Sequence, residues 1–86
     1  MSTSANHNTN VEYLEFDDKI HVHLSSSDIL VIPYDYTQKI NSANRKSLEN
    51  YRLIGGGIGI HFTDIDEDIS LKGIIHYKIE HELLAS

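Results

Sequence analysis

NYRLIGGGIGIHFTDIDEDISLKGII, residues 50–75, places a glycine run, a histidine and an acidic cluster within one supersecondary unit. Tyr51 to Ile54 and Ile58 to Phe62 are short runs of β-branched and aromatic residues. Gly55, Gly56 and Gly57 between them tolerate the positive φ that a tight hairpin turn requires. The stretch therefore predicts a β-hairpin. Alternation along its second strand puts Ile58, Ile60 and Phe62 on one face and Gly59 and His61 on the other, so bare backbone lies beside an imidazole. Arg52 joins that outer hairpin face. The run Asp64-Ile65-Asp66-Glu67-Asp68 then leaves the sheet, and Ser70 is placed to cap a helix that starts at Leu71. Acids just before a helix start also suit the positive end of its dipole.

Outward from this unit the chain reads as further small elements. Val11 to Phe16 and Ile20 to Leu24 form a second hairpin about the turn Asp17-Asp18-Lys19, with Ile20, Val22 and Leu24 on one face. Ile29 to Ile32 is an apolar run short enough for a buried strand, and Pro33 ends it. Tyr36, Ile40 and Ala43 are then spaced as on helical turns, and Asn44 is a candidate N-cap for a second short helix that carries Ser47 and Leu48. Leu71, Ile74, Ile75, Ile79, Leu83 and Leu84 recur at helical spacing, which predicts an amphipathic C-terminal helix laid on the sheet. Met1 to Asn10 is polar and aperiodic, a flexible tail by composition.

Tyr51-Arg52-Leu53-Ile54-Gly55, Gly57, Gly59-Ile60-His61, Asp64, Asp66-Glu67-Asp68-Ile69-Ser70 and Gly73-Ile74-Ile75 closely resemble a motif of a bacterial family, domain of unknown function 2442. The resemblance extends upstream through Ile32-Pro33, Ile40 and Ala43 and covers roughly residues 11 to 75, most of a single-domain chain of this length. The family often carries Trp-Pro where Phe62-Thr63 stands, proline at Gln38 and Arg45, and arginine at Leu48. The resemblance implies a small α+β fold without an assigned activity. It also implies kinship with antitoxin-like proteins and with modules fused to DNA-binding helices.

Composition narrows the function classes. Of 86 residues, 7 are Lys or Arg and 13 are Asp or Glu, a formal charge of -6 that repels phosphate backbones and argues against direct nucleic-acid binding. An acidic domain is suited instead to steering toward a basic partner, such as a nuclease toxin. The absence of cysteine excludes disulfides, thiolate zinc sites and cysteine nucleophiles, and fits a reducing cytoplasm. No run approaches the apolar length of a membrane span, and no export signal is readable at the N-terminus.

The remaining motifs are incomplete. The glycine run lacks the Lys-Ser/Thr of a Walker loop and precedes a strand, so it is no nucleotide fingerprint. Counted from Asp64, an EF-hand needs Gly where Ile69 stands and Glu where Ile75 stands. His21 and His23 project together from one strand face, a geometry that binds zinc or copper when a third ligand converges, but no third ligand is identifiable. No cofactor is implied.

The expected architecture is one α+β domain over residues 11–86, with 76–86 a helical extension. Its antiparallel sheet has about four or five strands, a helical segment inserted between the third and fourth, and the C-terminal helix on one face. The expected function is a non-enzymatic, antitoxin-like or regulatory module that contacts a basic partner protein through Arg52, Gly59, His61, Asp64, Asp66, Glu67 and Asp68. Two alternatives are a small hydrolase-type enzyme using His61 with a carboxylate, and a regulatory domain of a DNA-binding assembly. The apolar stripe of the C-terminal helix is a candidate homodimer surface.

Overall fold

A computed structural model describes residues 9–84. The flexible tail expected at residues 1–10 lies, for residues 1–8, outside them. Strands β1 (Val11–Phe16), β2 (Ile20–Leu24) and β3 (Ile29–Ile32) form one antiparallel meander, and β4 (Tyr51–Ile54), β5 (Gly59–Phe62) and β6 (Glu67–Ser70) form another. Between them a 3₁₀ turn at Tyr34–Tyr36 leads into two short helices, α1 (Gln38–Ser42) and α2 (Arg45–Leu48). The chain closes with α3 (Leu71–Ile79) and a π turn at Glu80–Leu84. The fold is α+β as the periodicities predict. Its strands divide into two three-stranded sheets instead of one sheet of four or five.

The additional strand is β6. Glu67 to Ser70 has little intrinsic strand character, yet Ile69 pairs with Ile60 and is buried against the core, and this pairing overrides the local preference. Ser70 still caps the following helix, its Oγ accepting from the Gly73 N–H at 2.9 Å. Asn44 caps α2 likewise, through the Ser47 N–H at 2.8 Å, and Thr37 caps α1.

Ile20, Val22, Ile32, Ile60, Phe62 and Ile74 are completely buried, and Ile40 and Leu48 nearly so, which places the two sheets and the three helices against one core. The two sheets meet where β1 passes the β4–β5 turn. Gly57, at φ 108°, lies so close to β1 that a Cβ on it would sit 2.5 Å from the Val11 carbonyl oxygen, and its own carbonyl accepts the Val11 N–H at 2.8 Å. Tyr51 makes the second junction: its Oη accepts the Leu14 N–H at 2.8 Å, and its ring packs edgewise on Phe16 and tilted on Phe62. Arg45 donates to the Phe16 and Asp17 carbonyls and closes the far end of β1. Asn10, counted with the tail by composition, exchanges hydrogen bonds with Ser25.

Two expectations about packing are revised. The β4–β5 turn includes Ile58, whose N–H bonds the Ile54 carbonyl, so Ile58 is drawn out of the ladder and is 61% exposed instead of sharing the core face with Ile60 and Phe62. On α3, Leu71 and Ile74 are buried and Tyr77 packs edgewise on Tyr36, whereas Ile75 and Ile79 face outward at 41% and 51% exposure. The side chains of Leu83 and Leu84 lie outside the described set. Among the described residues no helix is long and apolar enough to cross a membrane.

Candidate functional site

Strand alternation in the second sheet sorts its side chains cleanly. Tyr51, Leu53, Ile60, Phe62, Glu67 and Ile69 share the inner side, leaving Arg52, Ile54, Gly59, His61, Asp68 and Ser70 on the outer one. Arg52 stands opposite His61 and His61 opposite Asp68, so a cation, an imidazole and a carboxylate form one row across three strands. His61 Nδ1 and Asp68 Oδ1 are 2.5 Å apart. An ionised carboxylate only accepts, so Nδ1 carries the hydrogen, and Nε2 is left without a hydrogen-bond partner among the described residues. The His61 side chain is 18% exposed and that of Asp68 is 69% exposed: the ring lies down between its neighbours while the carboxylate stands in water. Arg52 makes no hydrogen bond or ion pair with any described residue.

The next row holds Ile54, Gly59 and Ser70. A Cβ on Gly59 would lie 3.2 Å from the Ile69 carbonyl oxygen and 3.8 Å from Ile54, so glycine here lets three strands close up and keeps the centre of the face flat. Ile54 is 38% exposed at its edge. The sequence motifs do not single out Ile54, although its two-residue spacing from Arg52 puts it on the same face.

The predicted contact residues thus separate into two groups. Arg52, Gly59, His61 and Asp68 share the outer face. Asp64 sits in the 3₁₀ turn Thr63–Ile65, where its Oδ1 accepts from Asn50 Nδ2 at 2.7 Å. Asp66 adopts a left-handed conformation, φ 51°, and its carbonyl accepts from Lys39 Nζ at 3.1 Å. Glu67 points to the inner side at the end of the sheet, opposite Phe62. Strand alternation and the turn disperse the acids, which cluster in sequence without converging in space.

The first sheet has its own polar face. His23 stacks on Tyr13 with ring centroids 4.2 Å apart and planes 9° from parallel, and its Nε2 lies 2.8 Å from Glu15 Oε1. His21, opposite Glu15, keeps a buried Nδ1 without a hydrogen-bond partner. Among the described residues no three His, Asp or Glu side chains converge in a way that would hold a metal ion.

Comparison with known proteins agrees on the fold. The profile of the family described as "Protein of unknown function (DUF2442)" matches residues 9–80. A crystal structure of a protein of unknown function from Rhodospirillum rubrum superposes with a TM-score of 0.73 at 22% identity, covering 81% of this chain and 88% of the other. A solution NMR structure of an uncharacterized protein from Chromobacterium violaceum gives a TM-score of 0.73 at 22% identity, covering 96% and 84%. No curated protein matches significantly.

Proposed function

The chain belongs to the DUF2442 family, proteins of unknown function, and from that premise we propose that it is a non-enzymatic interaction module whose docking face is the outer side of β4–β5–β6. The observation that carries this reading is the row Arg52–His61–Asp68 beside Ile54 and Gly59: an unpaired guanidinium, a pre-oriented imidazole and an exposed isoleucine on a flat, rigid sheet. Arginine is among the residues enriched where binding energy concentrates at interfaces. A sheet face built on a central strand also costs little ordering entropy on association.

The partner is a protein with a basic surface, and the role is antitoxin-like or regulatory, in the cytoplasm. The chain carries a formal charge of -6, and Asp64, Asp66 and Asp68 lie at the end of the sheet where β5 turns into β6, so the field there draws a cationic protein onto the face. Steering and contact are separable. Neutralising Asp64 and Asp66 to Asn lowers the association rate and flattens its salt dependence, whereas Arg52→Ala with His61→Ala raises the dissociation rate. A captured partner whose rates respond to neither pair of changes ends this reading.

A second reading has one observation in its favour. An oriented histidine with a free Nε2 and an aspartate on Nδ1 is the positioning half of an acid–base device, as a hydrolase-type enzyme would use. The face offers no nucleophile bonded to that Nε2: Ser70 Oγ is occupied in capping α3. Turnover of ester or phosphoester substrates lost on His61→Ala supports the enzyme; turnover indifferent to that change removes it.

A further inference from the structure

A different surface carries an inference that does not depend on the docking face. On α3 the residues Lys72, Ile75 and Ile79 follow one another at spacings of three and four along one flank, away from buried Leu71 and Ile74. That is the repeat of a helix-to-helix seam. Ile75 and Ile79 are 41% and 51% exposed, and Ile58, which bounds one recess with Ile75, is 61% exposed, so the flank presents exposed isoleucines along its length. Beside it lies an open recess of about 500 Å³ bounded by Ile58, Ser70, Leu71, Lys72 and Ile75.

Charge runs unevenly along the same helix. Lys72, near the start, makes no hydrogen bond or ion pair with any described residue. Glu80 and Glu82 lie in the closing π turn. Glu80 approaches His76 at 3.3 Å and Glu82 approaches Lys78 at 2.5 Å, and the two side chains are 52% and 62% exposed. A flank that is basic at one end, acidic at the other and apolar between them is complementary to itself when reversed.

We propose that this flank is an isologous contact between two copies of the chain, with the two α3 helices antiparallel about a two-fold axis that crosses the Ile75–Ile79 flank at the level of position 77. In that register Ile75 of each copy packs on Ile79 of the other, Ile79 enters the recess beside Ile58, and Lys72 meets the acidic turn at Glu80 and Glu82. The self-complementary charge order selects a second copy over an unrelated protein, because a two-fold axis pairs each end of the stripe with its opposite. The recess borders the outer face of β4–β5–β6 at Ser70, whereas Arg52, His61 and Asp68 stand in the other row of that face, so a dimer would present two docking rows.

Sedimentation equilibrium on the full chain from about 1 to 200 μM tests the contact. The expected result is a monomer–dimer equilibrium that Ile79→Asp weakens on the order of a hundredfold, since two isoleucines leave the interface per dimer. Lys72→Glu also weakens it, and adding Glu80→Lys and Glu82→Lys to that variant restores association. Circular dichroism separates folding from assembly, and exposed Ile79 and Lys72 are not needed for the core. A protein monomeric throughout this range overturns the proposal. So does a dimer that Ile79→Asp leaves intact, or one that the charge reversal does not restore.

Discussion

Replacing Gly57 with alanine tests the junction between the two sheets, and Gly56→Ala, one residue away in the same turn, is its control. Gly57 has φ 108°, and a Cβ there would lie 2.5 Å from the Val11 carbonyl oxygen and 2.7 Å from the Asn10 Cβ. Gly56 has φ 73° with nothing within 4 Å of a Cβ. A left-handed backbone costs a non-glycine residue about 1–2 kcal/mol, and at Gly56 that is nearly the whole cost. At Gly57 the collision is with backbone, which no rotamer change relieves. β1 must withdraw, the Val11 N–H to Gly57 carbonyl bond of 2.8 Å is lost, and Val11, only 2% exposed, loosens. The lost bond adds about 1 kcal/mol and the disturbed packing as much again or more, for a total of roughly 3–5 kcal/mol. A domain of this length is stable by only about 4–13 kcal/mol. Both alanines restrict the unfolded chain equally, so that effect cancels in the comparison. Urea denaturation with scanning calorimetry on the two variants is the assay. At about 4–8 °C per kcal/mol, Gly57→Ala is expected to melt at least about 10 °C below Gly56→Ala. Equal melting temperatures, or a milder loss at Gly57, would refute the claim that the glycine turn is where the sheets are locked together.

Four other outcomes follow from the geometry. Tyr51→Phe strips the Leu14 N–H of its acceptor across the sheet junction and is expected to cost about 1–2 kcal/mol in urea denaturation, an unchanged midpoint contradicting it. Ser70→Ala removes the cap of α3 and is expected to cost about 1 kcal/mol, with faster amide exchange in the first turn of α3 as its local signature. Burial, and secondarily the nearby Tyr77 charge, raises the Tyr36 phenol above its ordinary value of 10.0. The unfolded tyrosine therefore loses its proton first, so stability is full below pH about 10 and falls as pH rises toward the raised folded value; Tyr36→Phe is expected to lessen that alkaline loss, and an equal loss in both proteins would count against it. Imidazole nitrogen shifts of His61 are expected to report hydrogen on Nδ1 in the native protein and a mixture of tautomers in Asp68→Ala; an Nε2–H tautomer in the native protein would overturn the assigned orientation.

The readable part of this fold is the part set by short-range chemistry. Positive-φ glycines between two β-prone runs define the β4–β5 hairpin, and Asn44 and Ser70 mark helix starts because a side-chain oxygen three residues before a free N–H is a local device. The inward faces of β2 and β5 follow from alternation. What long-range contact decides was hidden. β6 forms from Glu67-Asp68-Ile69-Ser70 because β5 offers it a partner, and no propensity in those four residues announces it. Gly57 reads as a turn residue, yet its second task, admitting β1, depends on an element more than forty positions away. The stripe of α3 was legible as apolar, but which isoleucines it buries depends on where β3 and β6 sit, and they leave Ile75 and Ile79 outside.

The same division holds for the candidate site. Arg52, Gly59, His61 and Asp68 share a face because strand register brings them together, and the first three were already visible as alternation within one hairpin. Asp64, Asp66 and Glu67 look equivalent to Asp68 in a linear acidic run. The 3₁₀ turn and the left-handed Asp66 send each in a different direction. An acidic cluster in sequence is therefore a statement about field strength at that end of the molecule more than about a contact surface.

The most direct test of the docking face is an NMR titration of the ¹⁵N-labelled protein with the partner captured from its own cell extract, read residue by residue. The account predicts that shift changes concentrate on Arg52, Ile54, Gly59, His61 and Asp68, and that Arg52→Ala with His61→Ala abolishes them while leaving the rest of the spectrum native. Changes centred on another surface, or a partner held unaltered by that variant, would contradict it.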